Sequence, residues 1–263
     1  MALRVAIVGG GYAGTAGIIH TGIGPFTIDN GSNLSYGKVD WNRRALHVGF
    51  FANFLDADSI ALLTRGTNGQ LLPFAFSTDT YHLEASNTSL PSERFILTYG
   101  ANVRSSEFEL QIAPRGTKKD EWGAFGQAEI LLGEHSRWVV GARYDDIDPI
   151  GGVASPRTSL VIAPSSNHAF RLSYNQAFRA PSVINSYLQT AIVLATPPLG
   201  PFGQIPFVAL ANGNVDLSEE TVRATEVGYT GSFGNGYTAT VAVYRNKTED
   251  SIDFYQAAFY SFA

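Results

Sequence analysis

Several stretches hold side chains at spacings that chemistry uses. Gly9-Gly10-Gly11-Tyr12-Ala13-Gly14 follows the apolar run Val5-Ala6-Ile7-Val8 and matches G-x-G-x-x-G. In dinucleotide folds those glycines let the backbone approach a pyrophosphate at a helix N-terminus, and an acid about 20 residues on takes the ribose. Read that way, the chain is an FAD- or NAD-binding oxidoreductase. Ser35-Tyr36-Gly37-Lys38 matches S-x-x-K, a serine nucleophile with its lysine. Gly31 to Lys38 approaches a phosphate-binding loop, and Asp145-Asp146-Ile147-Asp148 offers carboxylates to a cation. His20, His47, His82, His135 and His168 are the remaining metal-ligand types.

Each chemistry needs an element to position it, and the flanking residues refuse that element. Gly17, Gly22, Gly24 and Pro25 follow Gly14, and in a helix each glycine costs about 1 kcal/mol and a proline about 3. Without the helix no row of free N–H groups faces a phosphate. Asp29 lies in Ile28-Asp29-Asn30-Gly31-Ser32, a turn composition and not the end of a second buried strand. The S-x-x-K stretch lacks a helix start and a later K-T-G. The phosphate-loop match is one residue too long, with Val39 where Ser or Thr belongs. The histidines have no ligand spacing, and the aspartates read as a solvated loop. The chain is therefore read as no enzyme, with no resident cofactor or metal.

Composition points to β structure. Of 263 residues only 16% are charged, against a usual quarter, while 12% are aromatic, Gly numbers 27 and Met 1. The absence of cysteine excludes disulfides and thiolate sites. A net charge of −5 without a basic run argues against nucleic acid as a partner. No apolar run is long enough for a transmembrane helix, and Met1-Ala2-Leu3-Arg4 opens no secretory signal. Such a start implies a protein that stays inside, or a chain whose true N-terminus is missing.

The dominant period is two. Phe95, Leu97, Tyr99, Ala101 and Val103 alternate with polar positions; so do Trp122, Ala124, Ala128, Ile130 and Leu132. Trp138 to Tyr144, Phe170 to Tyr174 and Tyr237 to Val243 repeat the pattern. Segments of about 8–12 residues suit tilted membrane strands. Short turns are expected at Asn42–Arg44, Gly133–Ser136, Pro164–His168 and Ser232–Gly236. Long connections are expected at Thr15–Ser32, Leu55–Pro73, Ser105–Asp120, Asp145–Pro156 and Ala177–Glu220. Short turns at one end and long loops at the other describe an outer-membrane barrel. A soluble β-sheet binding module shares the period of two and stays open as the alternative.

Particular residues then resemble one family. Gly141-Ala142-Arg143-Tyr144-Asp145, Ser155-Pro156-Arg157, Arg171-Leu172-Ser173-Tyr174 and Phe178-Arg179-Ala180-Pro181-Ser182 resemble the "G-x-RYD", "SPR", "R-x-SY" and "FRAPS" steps of the TonB-dependent outer-membrane receptor barrel. Gly213-Asn214-Val215-Asp216-Leu217-Ser218-Glu219-Glu220 resembles "GNPDLKPE" with both prolines lost, and Glu226-Val227-Gly228-Tyr229 resembles "E-x-GY". Tyr244-Arg245-Asn246 and Glu249-Asp250-Ser251-Ile252 resemble "YRN-x-x-ED-x-I". The matches keep family order from about Gly123 to Ile252; the family's plug, TonB box and last strand find no counterpart.

The resemblance implies an all-β fold: an antiparallel transmembrane β-barrel, partial, with the plug absent. Residues 1–263 would form one domain, 11 strands of about 22, an internal fragment. Arg4 to Ala13 then reads as a glycine-rich barrel strand and Thr15–Ser32 as its outer loop. It also implies location in the outer membrane, lipid contact, TonB as partner through a missing N-terminal region, and uptake of a scarce small-molecule ligand. That ligand is often a ferric siderophore, sometimes cobalamin or a glycan. Glu129, Arg143, Arg157, Arg171 and Glu226 occupy polar strand positions, where a lipid-facing charge would cost about 2–4 kcal/mol near the midplane. They are expected to face the lumen and plug. The charge-free stretch Ser182 to Asn212 offers Tyr187, Phe202 and Phe207 to a ligand. Its 44-residue connection, Ala177–Glu220, far exceeds the length at which structureless loops become uncommon.

Overall fold

The computed structural model describes residues 4–21, 24–29, 31–66, 68–195 and 206–256. Seventeen strands, one α-helix and a 3₁₀ turn at Gly234–Gly236 are present among these residues. Eleven of the strands form one antiparallel sheet, here called the wall. They are β1 (Arg4–Gly14), β4 (Asn33–Arg43), β5 (Leu46–Ala57), β8 (Phe76–Ser92), β9 (Phe95–Leu110) and β10 (Lys118–Leu131), then β11 (Ser136–Ile147), β12 (Gly151–Ser165), β13 (His168–Arg179), β16 (Glu220–Phe233) and β17 (Tyr237–Glu249). They lie side by side in that order. The dinucleotide reading ends here: Gly9 to Gly14 sit inside β1, laddered to Asn33–Lys38 of β4, and no helix follows.

Alternation dictates what each face carries. Register aligns Phe95, Ile130, Trp138, Leu160, Leu172, Val227 and Val243 in one unbroken row across seven strands. Beside that row the opposite face carries charge, with Glu129, Arg137, Arg171 and Glu226 among its residues. Packing does not hide the apolar row: Leu172 is 53% exposed and Val243 70%. The chain exposes 17110 Å², whereas a compact soluble chain of 28.3 kDa exposes roughly 11,000 Å². A soluble module would cover such a face, so the sheet is built to have it covered by something else.

Wall strands run 11 to 17 residues, longer than the alternating segments suggest, because both ends project beyond the apolar stretch. Two connections are correspondingly shorter than expected. β11 continues to Ile147 and β12 begins at Gly151, so only residues 148–150 join them. Gly151 turns the chain at φ +80°, a conformation that glycine alone enters without steric cost. The β9–β10 link shrinks to 111–117. Pro91, which cannot donate to a ladder, sits where the β8–β9 register slips between Ser89 and Ser92.

The three remaining long connections are not structureless. The β1–β4 link carries β2 (Gly17–Thr21) and β3 (Gly24–Ile28), and the β5–β8 link carries β6 (Ser59–Arg65) and β7 (Leu71–Pro73). These four strands form a small sheet in the order β2-β3-β6-β7. The β13–β16 link carries helix α1 (Val183–Tyr187) and a hairpin of β14 (Gln189–Ala195) and β15 (Pro206–Asn212). All lie at the end of the wall opposite the tight turns.

Among the described residues, β1 and β17 have no partner on their outer sides. Both run away from the tight-turn end, since Arg4 pairs with Arg43 beside one turn and Tyr237 follows another. Joining them directly would make a parallel pair. An odd number of up-and-down strands cannot close antiparallel on itself.

Candidate functional site

Two regions gather functional side chains: the charged face of the wall, and the cap made by the long connections. On the charged face, alternation along β11 aligns Arg143 and Asp145 on the side that also carries Asn102 of β9. The Arg143 Nε donates to both Asp145 oxygens at 2.9 and 2.8 Å, and its Nη2 donates to Asn102 Oδ1 at 2.7 Å. To reach β9 the guanidinium crosses β10 at Gly123, which is paired with both Asn102 and Asp145. A Cβ at Gly123 would stand 2.3 Å from Asp145 Oδ1 and 2.4 Å from Arg143 Nη2. The glycine is the slot. Asp145, expected in a solvated loop, is buried in a strand and already neutralised by Arg143, so it is no free cation ligand.

Further ion pairs tile the same face. Glu84 of β8 lies between two histidines, with Oε1 3.3 Å from His47 Nε2 and Oε2 3.5 Å from His82 Nε2. His82 stacks on Phe51 with centroids 4.9 Å apart. Arg137 donates to Glu129 at 3.3 Å, and Arg171 pairs with Glu226 across β13 and β16. Arg157 has no ion-pair partner among the described residues and stands opposite Gly141 and Asn175. Glu129, Arg143, Arg157, Arg171 and Glu226 thus share one face. Only Arg171 and Glu226 meet; the others bond to Arg137 or Asp145, or to no charge. Sequence reasoning gave no role on this face to Asn102, Glu84 or Arg137, and weighed His47 and His82 only as metal ligands. Their signal was strand parity, which each of them shows.

The cap is assembled differently. Phe26, Ala61, Phe74, Ile112 and Leu188 are buried together, one or more from each of four connections. The Phe26 and Phe74 rings lie 4.4 Å apart. Ser182 caps α1: its Oγ accepts from Asn185 N–H, and Asn185 Oδ1 accepts in return from Ser182 N–H, each at 3.0 Å. The helix backbone then presses on Gly213, where a Cβ would meet Asn185 O and Leu188 N at 2.7 Å. Gln189 N–H donates to Ile112 O at 2.7 Å and ties the helix to the 111–117 link. Tyr187 packs over Gly116, whose added Cβ would lie 2.8 Å from the ring. Phe207 takes its place in β15 opposite Leu194; Phe202 lies outside the described residues. A cavity of about 400 Å³ opens at the ends of β5, β8 and β9 beside the 111–117 link, and Asp56, Asp58 and Glu109 make its lining acidic. Among the described residues no cluster of His, Asp and Glu suits a metal ion.

Comparison with known proteins agrees with this geometry. The family described as TonB dependent receptor-like, beta-barrel, matches residues 9–262. No curated protein matches the sequence. Among solved structures, the siderophore receptor PirA from Acinetobacter baumannii is similar over 86% of this chain and 35% of its own, at 15% identity and a TM-score of 0.62. The ferric enterobactin receptor PfeA from Pseudomonas aeruginosa, solved as a mutant with enterobactin, aligns over the same shares at 16% identity and 0.60. The FrpB iron transporter from Neisseria meningitidis aligns over 94% of this chain and 42% of its own, at 14% identity and 0.60. At such identities the likeness concerns the fold, and the chain spans well under half the length of each of these proteins.

Proposed function

The chain belongs to the TonB-dependent receptor β-barrel family, and from that premise we propose that it forms about half the wall of an outer-membrane importer. In this reading the apolar face meets lipid and the charged face lines the lumen. The observation that carries it is the apolar row from Phe95 to Val243, unbroken over seven strands and uncovered by protein. Only a hydrocarbon solvent makes such a face favourable, and only a closed barrel satisfies the edges of β1 and β17 there. The rest of the ring then needs an odd number of strands whose two edges run toward the tight-turn end.

The lumen charges, Glu129, Arg143, Arg157, Arg171 and Glu226, hold the plug or line the path past it. The imported ligand is a scarce metal chelate such as a ferric siderophore, a reading supported by likeness to the siderophore receptor PirA and the ferric enterobactin receptor PfeA, with energy delivered through TonB. Transport breaks no bond, so no catalytic residue is assigned. The hairpin beyond Leu188, with Phe207 in β15 and Phe202 between the two strands, supplies flat apolar surface to the ligand, joined by Tyr187. Its charge-free composition suits a bulky chelate better than the acidic cavity does.

Uptake of a radiolabelled ferric chelate by cells carrying the complete receptor tests this reading. Uptake is expected to require both the receptor and TonB. A receptor found in the cytosolic fraction, or uptake unchanged by its loss, overturns the proposal. Removing Thr190–Leu210 leaves Leu188 and Gly213 in place, so the cap stays seated. Unchanged ligand affinity in that variant, with normal surface exposure, removes the hairpin from the binding site.

A further inference from the structure

The lipid-side face of the wall is not uniform where it leaves the apolar band. Counting from the tight turns gives comparable heights, because neighbouring strands share one tilt. Tyr144 lies nine residues past His135, and Trp122 lies eleven before Gly133. Their rings pack at 5.6 Å, as expected of an aromatic girdle at the membrane surface. On β17, Arg245 lies nine residues past Gly236 and Lys247 eleven. On β16, Arg223 is paired with Lys247 in register. Strand parity gives all three to the apolar face: Arg245 is one step above Val243, and Arg223 and Lys247 are two steps above Val227 and Val243. At the same level across β9 to β11 the outward residues include Ser105 and Asp146, with Asp120 one step higher. At this level the outward cations lie on β16 and β17, whereas Lys118 of β10 stands two steps higher and is already paired with Asp120 at 2.9 Å.

Their partners are few. Glu249 accepts from Lys247 at 2.6 Å and pairs with Arg223, while Arg223 Nε also donates to Gln176 at 3.3 Å. Arg245 makes no ion pair or side-chain hydrogen bond among the described residues. Three cations thus face outward against one carboxylate. Thr225 and Tyr174 continue the row from Arg245 and add hydroxyls beside it.

We propose that Arg223, Arg245 and Lys247 form a binding site for the phosphate headgroup of an outer-leaflet glycolipid. The site rests on the membrane reading given above. Guanidinium forks match phosphate oxygens with two parallel hydrogen bonds. The apolar residues immediately below are the surface that acyl chains require and that a free phosphate ion does not. Basic residues at this depth gain about 1 kcal/mol each from anionic lipid. Arg245 contributes most because no neighbouring carboxylate claims it.

The test uses the complete receptor, purified from outer membranes in mild detergent, with retained phosphorylated glycolipid measured by mass spectrometry. Arg245→Ala is expected to weaken retention about fivefold, and R223A/R245A/K247A by on the order of tenfold or more. Glu249→Gln, which removes the competing carboxylate at the end of β17 and leaves the backbone ladder unchanged, is expected to raise retention. Thermal stabilisation should follow added phosphorylated glycolipid; the dephosphorylated glycolipid and inorganic phosphate at equal concentration should not reproduce it. Stabilisation by inorganic phosphate alone reassigns the site to a free anion and overturns the proposal. Unchanged retention in both the triple variant and Glu249→Gln, with the receptor in the outer membrane, overturns the lipid site and leaves the membrane reading standing. Absence of the receptor from that membrane overturns both.

Discussion

Leu172 and Leu188 lie sixteen positions apart in one chain, yet the first is 53% exposed and the second 1%. Leu172 belongs to the wall, whose apolar side chains form a row and touch little but their cross-strand neighbours. Leu188 belongs to the cap, where Phe26, Phe74 and Ile112 surround it. The wall is stable only if a hydrocarbon solvent covers its face. The cap carries its own small core, as a water-soluble domain does. Residue type therefore says little about burial here; in the proposed membrane reading this is because two solvents act on one polypeptide.

The sharpest way to break that comparison is a cavity in the cap. Phe26→Ala in the complete receptor is expected to cost about 3–5 kcal/mol of cap stability. Protease should nick the long connections while the barrel keeps its heat-modifiable gel mobility. If mobility is lost as well, cap and wall are one cooperative unit and the comparison fails. Next comes charge in the wall: Leu172→Arg should cost about 2–4 kcal/mol and prevent assembly. Ser173→Arg, beside Glu226 on the charged face, should leave mobility unchanged. Equal loss in both variants would reject the assignment of faces.

Smaller effects sharpen the picture. Gly123→Ala forces a Cβ against Asp145 and Arg143 and should cost about 1–3 kcal/mol, as overpacking does. Gly9→Ala meets nothing within 4 Å and serves as its control. A difference in thermal midpoint between them reports the Arg143 slot. Smallest is Ser182→Ala, which removes the cap of α1 at about 0.5–2 kcal/mol. It should quicken protease cleavage near Tyr187 and leave the melting of the wall unchanged.

Much of the wall was legible before any coordinates. Alternation alone separated Leu172 from Ser173 and grouped Arg143, Arg157 and Arg171, because a strand sends successive side chains to opposite faces. The resembled motifs are explained by contacts. Arg171 of the "R-x-SY" stretch meets Glu226 of "E-x-GY", and the glycine opening the "GNPDLKPE" counterpart gives way to the α1 backbone. What stayed hidden was the cap. Strands β2, β3, β6 and β7 are too short to establish a period, and α1 is a single capped turn. Asp145–Pro156 looked like a loop because Asp, Pro and Gly cluster there, although only residues 148–150 turn.

The sequence by itself determined the strand period, the partition of charge from hydrocarbon and the family. All three depend on local alternation and on short ordered motifs, which no distant contact can alter. Tertiary structure alone decided that Arg143 crosses β10 to Asn102 through the gap at Gly123, and that four connections share one apolar core. It alone raised Arg223, Arg245 and Lys247 together above the apolar band. These depend on register between strands far apart in the chain. A shift of one residue in pairing would send every such side chain to the other face.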